Sequence, residues 1–270
     1  MNFRLIIDDA FDSFKNMAID EAIARAVSEN LSLPTLRFYR WKPSTLSLGY
    51  FQKYEKEVNP DGLIKWDLGI VRRITGGKAV LHDDEVTYSF CIPASSPFFK
   101  EDVISSYKIV AQALAAGLKN MRIDAQMNKL NGNGDLKPSS VCFETPSIYE
   151  ITVNGKKIIG SAQKRFQNGF LQHGSIPLTF NVDKLFDCFK FPSDEVKLKM
   201  KSLFKSKATA IFDEIDQKLT IDQIISFFVS GFEKTLNIEF IKSSLSEYEN
   251  DLVEKELYKK YSSTDWLEKF

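Results

Sequence analysis

Apolar positions recur at helical spacing over residues 16–30, where Met17, Ala22, Ile23, Ala26 and Val27 trace one side and Asn16 stands in place for an N-cap. This spacing predicts a helix. Alternation then takes over in "TLRFYRW" and in "TLSLGYF", which breaks at Gly49, and "GIVRRI" runs into the tight turn "TGG". A further strand is expected over "VTYSFCIP", stopped by Pro93, followed by a helix over "DVISSYKIVAQALAAGLKNM" that starts near Asp102 and loosens at Gly117. The composition of "NKLNGNGDLKP" is that of a surface loop.

Asn154-Gly155 between two alternating apolar runs predicts a two-residue hairpin. Val153 then faces Lys156 and Thr152 faces Lys157, so that Lys157 shares a mixed face with Glu150, Ile159 and Ser161, opposite Tyr149, Ile151, Val153 and Ile158. A second turn at 167–169 leads into the strand "FLQHGSIPL". From Pro192 the pattern is helical: "TIDQIISFFVSGFEKTLN" is capped by Thr220, and "SEYENDLVEKELYKKY" opens with a capping box of Ser246 and Glu249. The fold expected is α/β (α+β), a mixed β-sheet flanked by helices. A catalytic domain would span residues 1–190, with a helical C-terminal extension over 191–270 packed on it.

Charge and composition narrow the function. Lys+Arg and Asp+Glu are 36 each in 270 residues, so no long-range field gathers nucleic acid or an anionic membrane, and neither is expected as a partner. No apolar run reaches the length of a membrane span, and the start "MNFRLIIDDA" lacks a secretory layout, which points to the cytoplasm. Three widely spaced cysteines suit neither a disulfide framework nor a zinc site, so a reactive cysteine would be a free thiol.

Three places can carry chemistry. In "RRITGGKAVLHDDEVTYS", Gly76 and Gly77 allow a ligand to approach the main chain, and His82 follows; for the glycine pair alone an ordinary turn is the stronger reading, and the phosphate-loop spacing is absent. Cys91 and Cys188 lie in apolar runs and read as packing, whereas Cys142 sits at a loop-to-strand junction among Ser139, Ser140, Glu144 and Thr145, where packing and chemistry weigh evenly. Lys157 on its strand reads first as a solvated edge residue; in a partly dry cleft it would hold a carbonyl oxygen or accept a proton.

These pieces converge. "NMAIDEA", "LRFYRWKPSTLSLGYFQ", "VRRITGGKAVLHDDEVTYS", "SSVCFETPSIYEI", "KKIIGSAQKR" and "LQHGSI", in that order, resemble the lipoate and biotin ligase/transferase superfamily, and within it the octanoyltransferases of the LipM type. The resemblance implies transfer of an octanoyl group from acyl carrier protein to a lysine of a lipoyl-bearing domain, typically the glycine cleavage H protein. Cys142 then corresponds to the acyl-accepting nucleophile and Lys157 to the active-site lysine. Arg73, Thr75, Gly76 and Gly77, with Gly160, Ser161 and Ala162, would border the acyl pocket, and His82 and His173 match family positions. No cofactor, no metal and a monomeric enzyme are expected. An ATP-dependent lipoate ligase is the main rival; against it stand Cys142 and Glu85, a carboxylate near the glycine turn that would disfavour a triphosphate. An amidotransferase working between lipoyl domains is a nearer rival, and a non-enzymatic scaffold would leave Cys142 and Lys157 without roles.

Overall fold

The computed structural model of the protein describes residues 1–129 and 149–270. Among these, one mixed sheet is built from β1 (Asn2–Phe11), β2 (Thr35–Trp41), β6 (Glu85–Pro93), β7 (Gln126–Lys129), β8 (Tyr149–Val153), β9 (Lys156–Phe166), β10 (Gly169–Pro177) and β11 (Glu239–Lys242), in the spatial order 11-1-2-6-10-9-8-7. β3 (Thr45–Leu48), β4 (Gly69–Arg72) and β5 (Val80–His82) form a second, smaller sheet in the order 4-3-5. The helices are α1 (Ser13–Ser28), α2 (Tyr54–Glu57), α3 (Pro60–Lys65), α4 (Val103–Asn120), α5 (Val182–Asp187), α6 (Asp194–Lys207), α7 (Ile211–Glu214), α8 (Ile221–Leu236), α9 (Glu247–Leu252), α10 (Tyr258–Tyr261) and α11 (Thr264–Leu267), with a π-helical turn at Val253–Leu257. None of the described helices is long and apolar enough to cross a membrane.

The period-2 alternation of β2 and β6 sorts their side chains between two layers. Leu36, Phe38, Tyr88, Phe90 and Ile92 turn to one face and pack with Val110, Leu114 and Leu118 of α4 and Ile224, Phe228 and Phe232 of α8. Tyr39, Trp41 and Cys91 turn to the other and meet Met17, Ala18 and Ile23 of α1, with Val253, Leu257 and Tyr261 behind them. A third cluster joins Leu46 and Leu48 of the small sheet to Leu185, Phe186 and Phe204. The C-terminal stretch is woven in: α8 belongs to the main core, and β11 runs parallel to β1, pairing Phe3 with Phe240.

Four local details depart from the sequence reading. α1 begins earlier than its apolar spacing suggests, because the Asp12 carboxylate accepts from the backbone N–H of Phe14 and Lys15 at 2.9 and 3.0 Å. Asn16 is therefore inside the helix, where its amide donates to the Phe11 and Arg40 carbonyls. α4 does not loosen at Gly117: a Cβ there would meet Phe228 Cδ1 at 2.4 Å, so the missing side chain lets α8 lie close against it. The hairpin has the expected turn, with φ of 50° at Asn154 and 78° at Gly155, and the expected first pairs Val153–Lys156 and Thr152–Lys157. The register then shifts, so that Ile151 pairs with Ile159; Ile158 and Ile159 are both buried in the main core and Ile159 leaves the mixed face.

Candidate active site

A cleft of about 420 Å³, its mouth included, opens between the small sheet and the middle of the large one. Arg73, Gly77, Val80 and His82 form one wall, Gly160, Ser161 and Ala162 of β9 with His173 of β10 form the other, and Met17, Tyr39 and Trp41 are among the remaining residues of the lining. The structure thus brings together Arg73, Gly77, His82, Gly160, Ser161, Ala162 and His173, which the sequence had set in three separate motifs. Thr75 is buried just behind, its hydroxyl 2.7 Å from His173 Nε2. Gly76 faces open space. Lys157 lies three residues before Gly160 on β9 and is not part of the cleft wall. It is also no solvated edge residue: it is 3% exposed, with Nζ 3.1 Å from Glu150 Oε1. Cys142 lies outside the described residues.

Two glycines allow the walls to meet. A Cβ on Gly49, at the end of β3, would sit 1.9 Å from the Gly77 carbonyl oxygen, so only glycine lets that strand end touch the turn. Gly77 itself has φ 93°, in the region that side chains disfavour.

Arg73 organises the floor. Its Nε donates to Thr75 Oγ1 at 3.1 Å, Nη1 to the carbonyl and hydroxyl of Ser47 at 3.0 and 3.1 Å, and Nη2 to the carbonyls of Gly76 and Lys78 at 2.9 and 2.7 Å. All five guanidinium donors therefore meet protein acceptors. From the two hydroxyls, two chains run inward. Ser47 Oγ bonds His82 Nε2 at 2.8 Å, and His82 Nδ1 bonds Glu85 Oε1 at 2.7 Å. Thr75 Oγ1 bonds His173 Nε2, and His173 Nδ1 bonds Asp20 Oδ2 at 2.9 Å. Glu85 also accepts from Thr87 and Ser175, while Asp20 accepts from Tyr39 Oη at 2.9 Å and Arg37 Nη1 at 2.8 Å. Glu85 is 2% exposed and is turned onto these donors rather than toward the space beside the glycine turn. Its expected repulsion of a triphosphate is correspondingly muted.

The ionisation states follow. Burial pushes the Asp20 carboxyl up, but the bond from His173 and the Arg37 charge outweigh it, leaving Asp20 below the ordinary value. Glu85 is likewise lowered, against burial, by the charge and hydrogen bond of His82 and then by Ser175 and Thr87. Burial drives His173 below its ordinary pKa, and Asp20 restores it only in part, so the neutral ring with a proton on Nδ1 is favoured. Its Nε2 then accepts the Thr75 proton. Burial also pushes the Cys91 thiol well up and the Cys188 thiol to about 12, which makes both poor nucleophiles and fits their reading as packing. Among the described residues no group of three or more His, Cys, Asp or Glu side chains is placed to hold a metal ion.

The sequence reading named the two histidines but not Asp20 as a partner of either. Its signal was there: a carboxylate inside the apolar run of α1, one turn from Met17 and from Ile23. Ser47, Tyr39 and Trp41 carry no comparable mark.

Comparison with known proteins places this architecture. Residues 12–233 match the lipoyl protein ligase A/B catalytic domain. The chain is 44% identical to octanoyltransferase LipM of Staphylococcus aureus, over 95% of this chain and 94% of that protein, and 42% identical to octanoyltransferase LipM of Bacillus subtilis, over 93% and 92%. Among solved structures, the bi-partite lipoate protein ligase of Thermoplasma acidophilum, studied with its E2 lipoyl domain, superimposes with a TM-score of 0.84 at 26% identity, covering 99% of this chain and 96% of that one. A lipoate-protein ligase A bound with ATP gives 0.81 at 27% identity, covering 98% of each chain. With residues 12–233 matched by its model and nearly the whole length aligned with two octanoyltransferases, the chain belongs to the lipoyl protein ligase A/B catalytic domain family.

Proposed function

We propose that this octanoyltransferase of lipoate biosynthesis takes its acyl group from octanoyl-acyl carrier protein, holds it as a thioester on Cys142 and delivers it to a lysine of a lipoyl-bearing domain, with the glycine cleavage H protein as acceptor. The observation that carries this reading is the character of the cleft. Met17, Tyr39, Trp41, Val80 and Ala162 give it a largely apolar lining, while its buried polar groups are bonded to one another, so it offers an acyl chain a dry wall. In the first step the Cys142 thiolate attacks the thioester carbonyl, the C–S bond to the carrier breaks, and the carrier thiolate takes up a proton. In the second, the acceptor amine attacks the Cys142 thioester, an amide forms, and the amine proton leaves as the thiolate is restored. Lys157, buried beside Glu150 on the strand that also lines the cleft, is the side chain assigned to orienting the carbonyl or taking that proton. The relatives' name, octanoyltransferase, supports the acyl group, and the Thermoplasma ligase studied with an E2 lipoyl domain supports the class of acceptor.

The likeness to a ligase bound with ATP favours a second reading, in which a free acid is activated with nucleotide. One experiment separates them. Incubation with octanoyl-carrier protein and no nucleotide, followed by peptide mass mapping, is expected to find an octanoyl adduct on Cys142 and octanoylated H protein. An adduct on Cys91 or Cys188, or transfer only from free octanoate with ATP, overturns the proposal. Faster transfer from an octanoylated lipoyl domain than from the carrier protein would make the enzyme an amidotransferase.

A further inference from the structure

α6 differs from the other long helices in how little of it is buried. Of its 14 residues only Phe204 is buried, seated against Phe180 and Phe186 with ring centroids at 5.0 and 5.8 Å. α8, at 16 residues, buries Ile224, Ile225, Phe228, Gly231, Phe232 and Leu236. The outward side of α6 is nonetheless apolar in part: Val196, Leu198 and Leu203 are 38, 65 and 37% exposed. Interleaved with them are Lys199, Lys205 and Lys207, all exposed. Lys197 and Lys201 are matched by Asp187 and Asp183, at 2.6 and 2.7 Å. Lys199, Lys205 and Lys207 make no salt bridge among the described residues, although Lys205 acts on Asp183 at longer range. Helices in water draw most of their stability from a packed apolar face. Here apolar side chains are left outside that face among five lysines, with Asp194 and Glu195 in the first turn offsetting only part of the positive charge, the mixture found where a protein partner sits.

The position of this helix gives the surface a use. At its C-terminal end Ala208 forms a parallel bridge with Lys157, and Thr209 N–H donates to the Lys157 carbonyl at 3.0 Å. From Lys157, three residues of β9, about 10 Å of strand, lead to Gly160 in the cleft wall. A protein held on α6 is thus held beside the strand that lines the acyl site.

We propose that the outer face of α6 is the docking surface of the acyl-donor protein, a small acidic domain that sets carboxylates against Lys199, Lys205 and Lys207 and apolar side chains against Leu198 and Leu203. This rests on the acyl-transfer reading above. Charge complementarity selects an acidic partner. The exposed leucines select a protein rather than a polyanion, and three lysines on a chain of zero net charge are too few for nucleic acid. The donor is favoured over the acceptor because it must introduce a whole acyl chain along β9, whereas the acceptor presents only an amine.

The test compares two donors with the same reacting thioester: octanoyl-carrier protein, which has a protein surface, and octanoyl-pantetheine, which has none. In the triple variant Lys199→Glu/Lys205→Glu/Lys207→Glu of the full chain, KM for octanoyl-carrier protein at low salt should rise at least tenfold. The salt dependence of that KM should flatten or reverse, and kcat/KM with octanoyl-pantetheine should stay within twofold. An unchanged KM for the carrier protein overturns the proposal. So does a rise confined to the KM of the H protein acceptor, which would give the surface to the acceptor, and so does an equal loss with both donors, which would make α6 structural. Should the triple variant fail to fold by circular dichroism, the corresponding Lys→Gln variant is expected to raise the same KM about threefold. If the wild-type enzyme accepts neither thioester, the acyl-transfer reading falls. α6 is then decided by direct titration with the carrier protein: loss of binding in the triple variant supports the surface, and unchanged or absent binding overturns it.

Discussion

The two chains that grip Arg73, Ser47–His82–Glu85 and Thr75–His173–Asp20, have the same order of hydroxyl, imidazole and carboxylate but are balanced differently. Asp20 has a full positive charge beside it in Arg37, which is 0% exposed in its side chain and also paired to Asp8 at 2.7 Å. Among the described residues no arginine or lysine pairs with the Glu85 carboxylate; its other donors are the hydroxyls of Thr87 and Ser175, and its lowered pKa, after the opposing effect of burial, rests first on His82. The carboxylate of one chain therefore has a fixed charge beside it in addition to the hydrogen bond from its histidine, and His173 sits neutral. In the other, carboxylate and imidazole are tied to each other, with the Trp41 ring stacked on His82 at 4.2 Å and Trp41 Nε1 bonded to Thr87 at 2.7 Å. One chain is anchored by an arginine, the other by packing and hydroxyls.

The largest effect should come from breaking the anchored chain. Asp20→Asn leaves the buried Arg37 short of one of its two carboxylates, and breaking a buried pair from one side costs about 3–5 kcal/mol. Glu85→Gln keeps the shape and one acceptor oxygen, and strands no fixed positive charge, so about 1–3 kcal/mol is expected. Urea denaturation of the two variants measures both. Equal costs, or the reverse order, would remove the asymmetry.

The turn held between the chains should come next. Gly49→Ala drives a methyl group to 1.9 Å from the Gly77 carbonyl oxygen, a backbone atom that cannot swing aside. A cost of about 1–3 kcal/mol is expected from such overpacking, with a loss of transfer activity because the displaced turn carries the Arg73 contacts. Wild-type activity in a folded Gly49→Ala enzyme would show that the turn's position is not needed.

How far this arrangement was legible depends on whether its cause is local. β2 matches "TLRFYRW" residue for residue, and the hairpin turn and the Thr220 and Ser246 caps form as read, because alternation, φ>0 residues and side-chain caps act over a few neighbours. The motif residues that line the cleft were also recognisable, since each lies in a short run of sequence that resembles the family without reference to distant parts of the chain. The parallel pairing of β1 with β11 was not: "EFIK" is four residues of mostly exposed strand, and only its partner 237 positions away gives it a structure. Asn16 was misread as a cap because α1 is buried on nearly every side, which erases the polar stripe that would locate its start. Lys157 was read as solvated because a lysine's burial depends on what crosses over it, here Ala208 and Glu150.

A smaller effect separates the two chains by pH. His173 has a folded pKa below its unfolded value of 6.5, so between the two values the unfolded chain binds more protons and stability rises with pH. Its contribution is complete above pH 6.5 and is lost as pH falls through the folded pKa. Asp20 and Glu85, lowered from 3.8 and 4.5, contribute fully above those values and are lost only at lower pH. Just below pH 6.5, then, the slope from the anchored chain comes from His173 and cannot exceed about 1.4 kcal/mol per pH unit. His173→Asn should flatten the stability profile there while leaving the Glu85 part of the acid limb below pH 4.5 in place. An unchanged slope would mean that His173 is not held neutral by the fold.

The smallest effect is expected at Gly76, and its smallness makes it useful. The Gly76 carbonyl, like that of Lys78, accepts from Arg73 Nη2, so the backbone of this turn hangs from the guanidinium that both chains grip. A Cβ at Gly76 would meet nothing within 4 Å, and its φ lies outside the left-handed region, whereas Gly77 has φ 93° and could not take a side chain without strain. Gly76→Ala should therefore change stability by no more than about 0.5 kcal/mol, with a slight gain where the unfolded chain loses freedom. Because folding is untouched, any change in transfer rate reports on what passes over the turn. A loss specific to octanoyl donors at unchanged stability would put the acyl group against Gly76. Unchanged rates would leave Gly77 as the glycine of this pair that the acyl site requires, and Gly76 as a residue whose backbone, not its open side, serves Arg73.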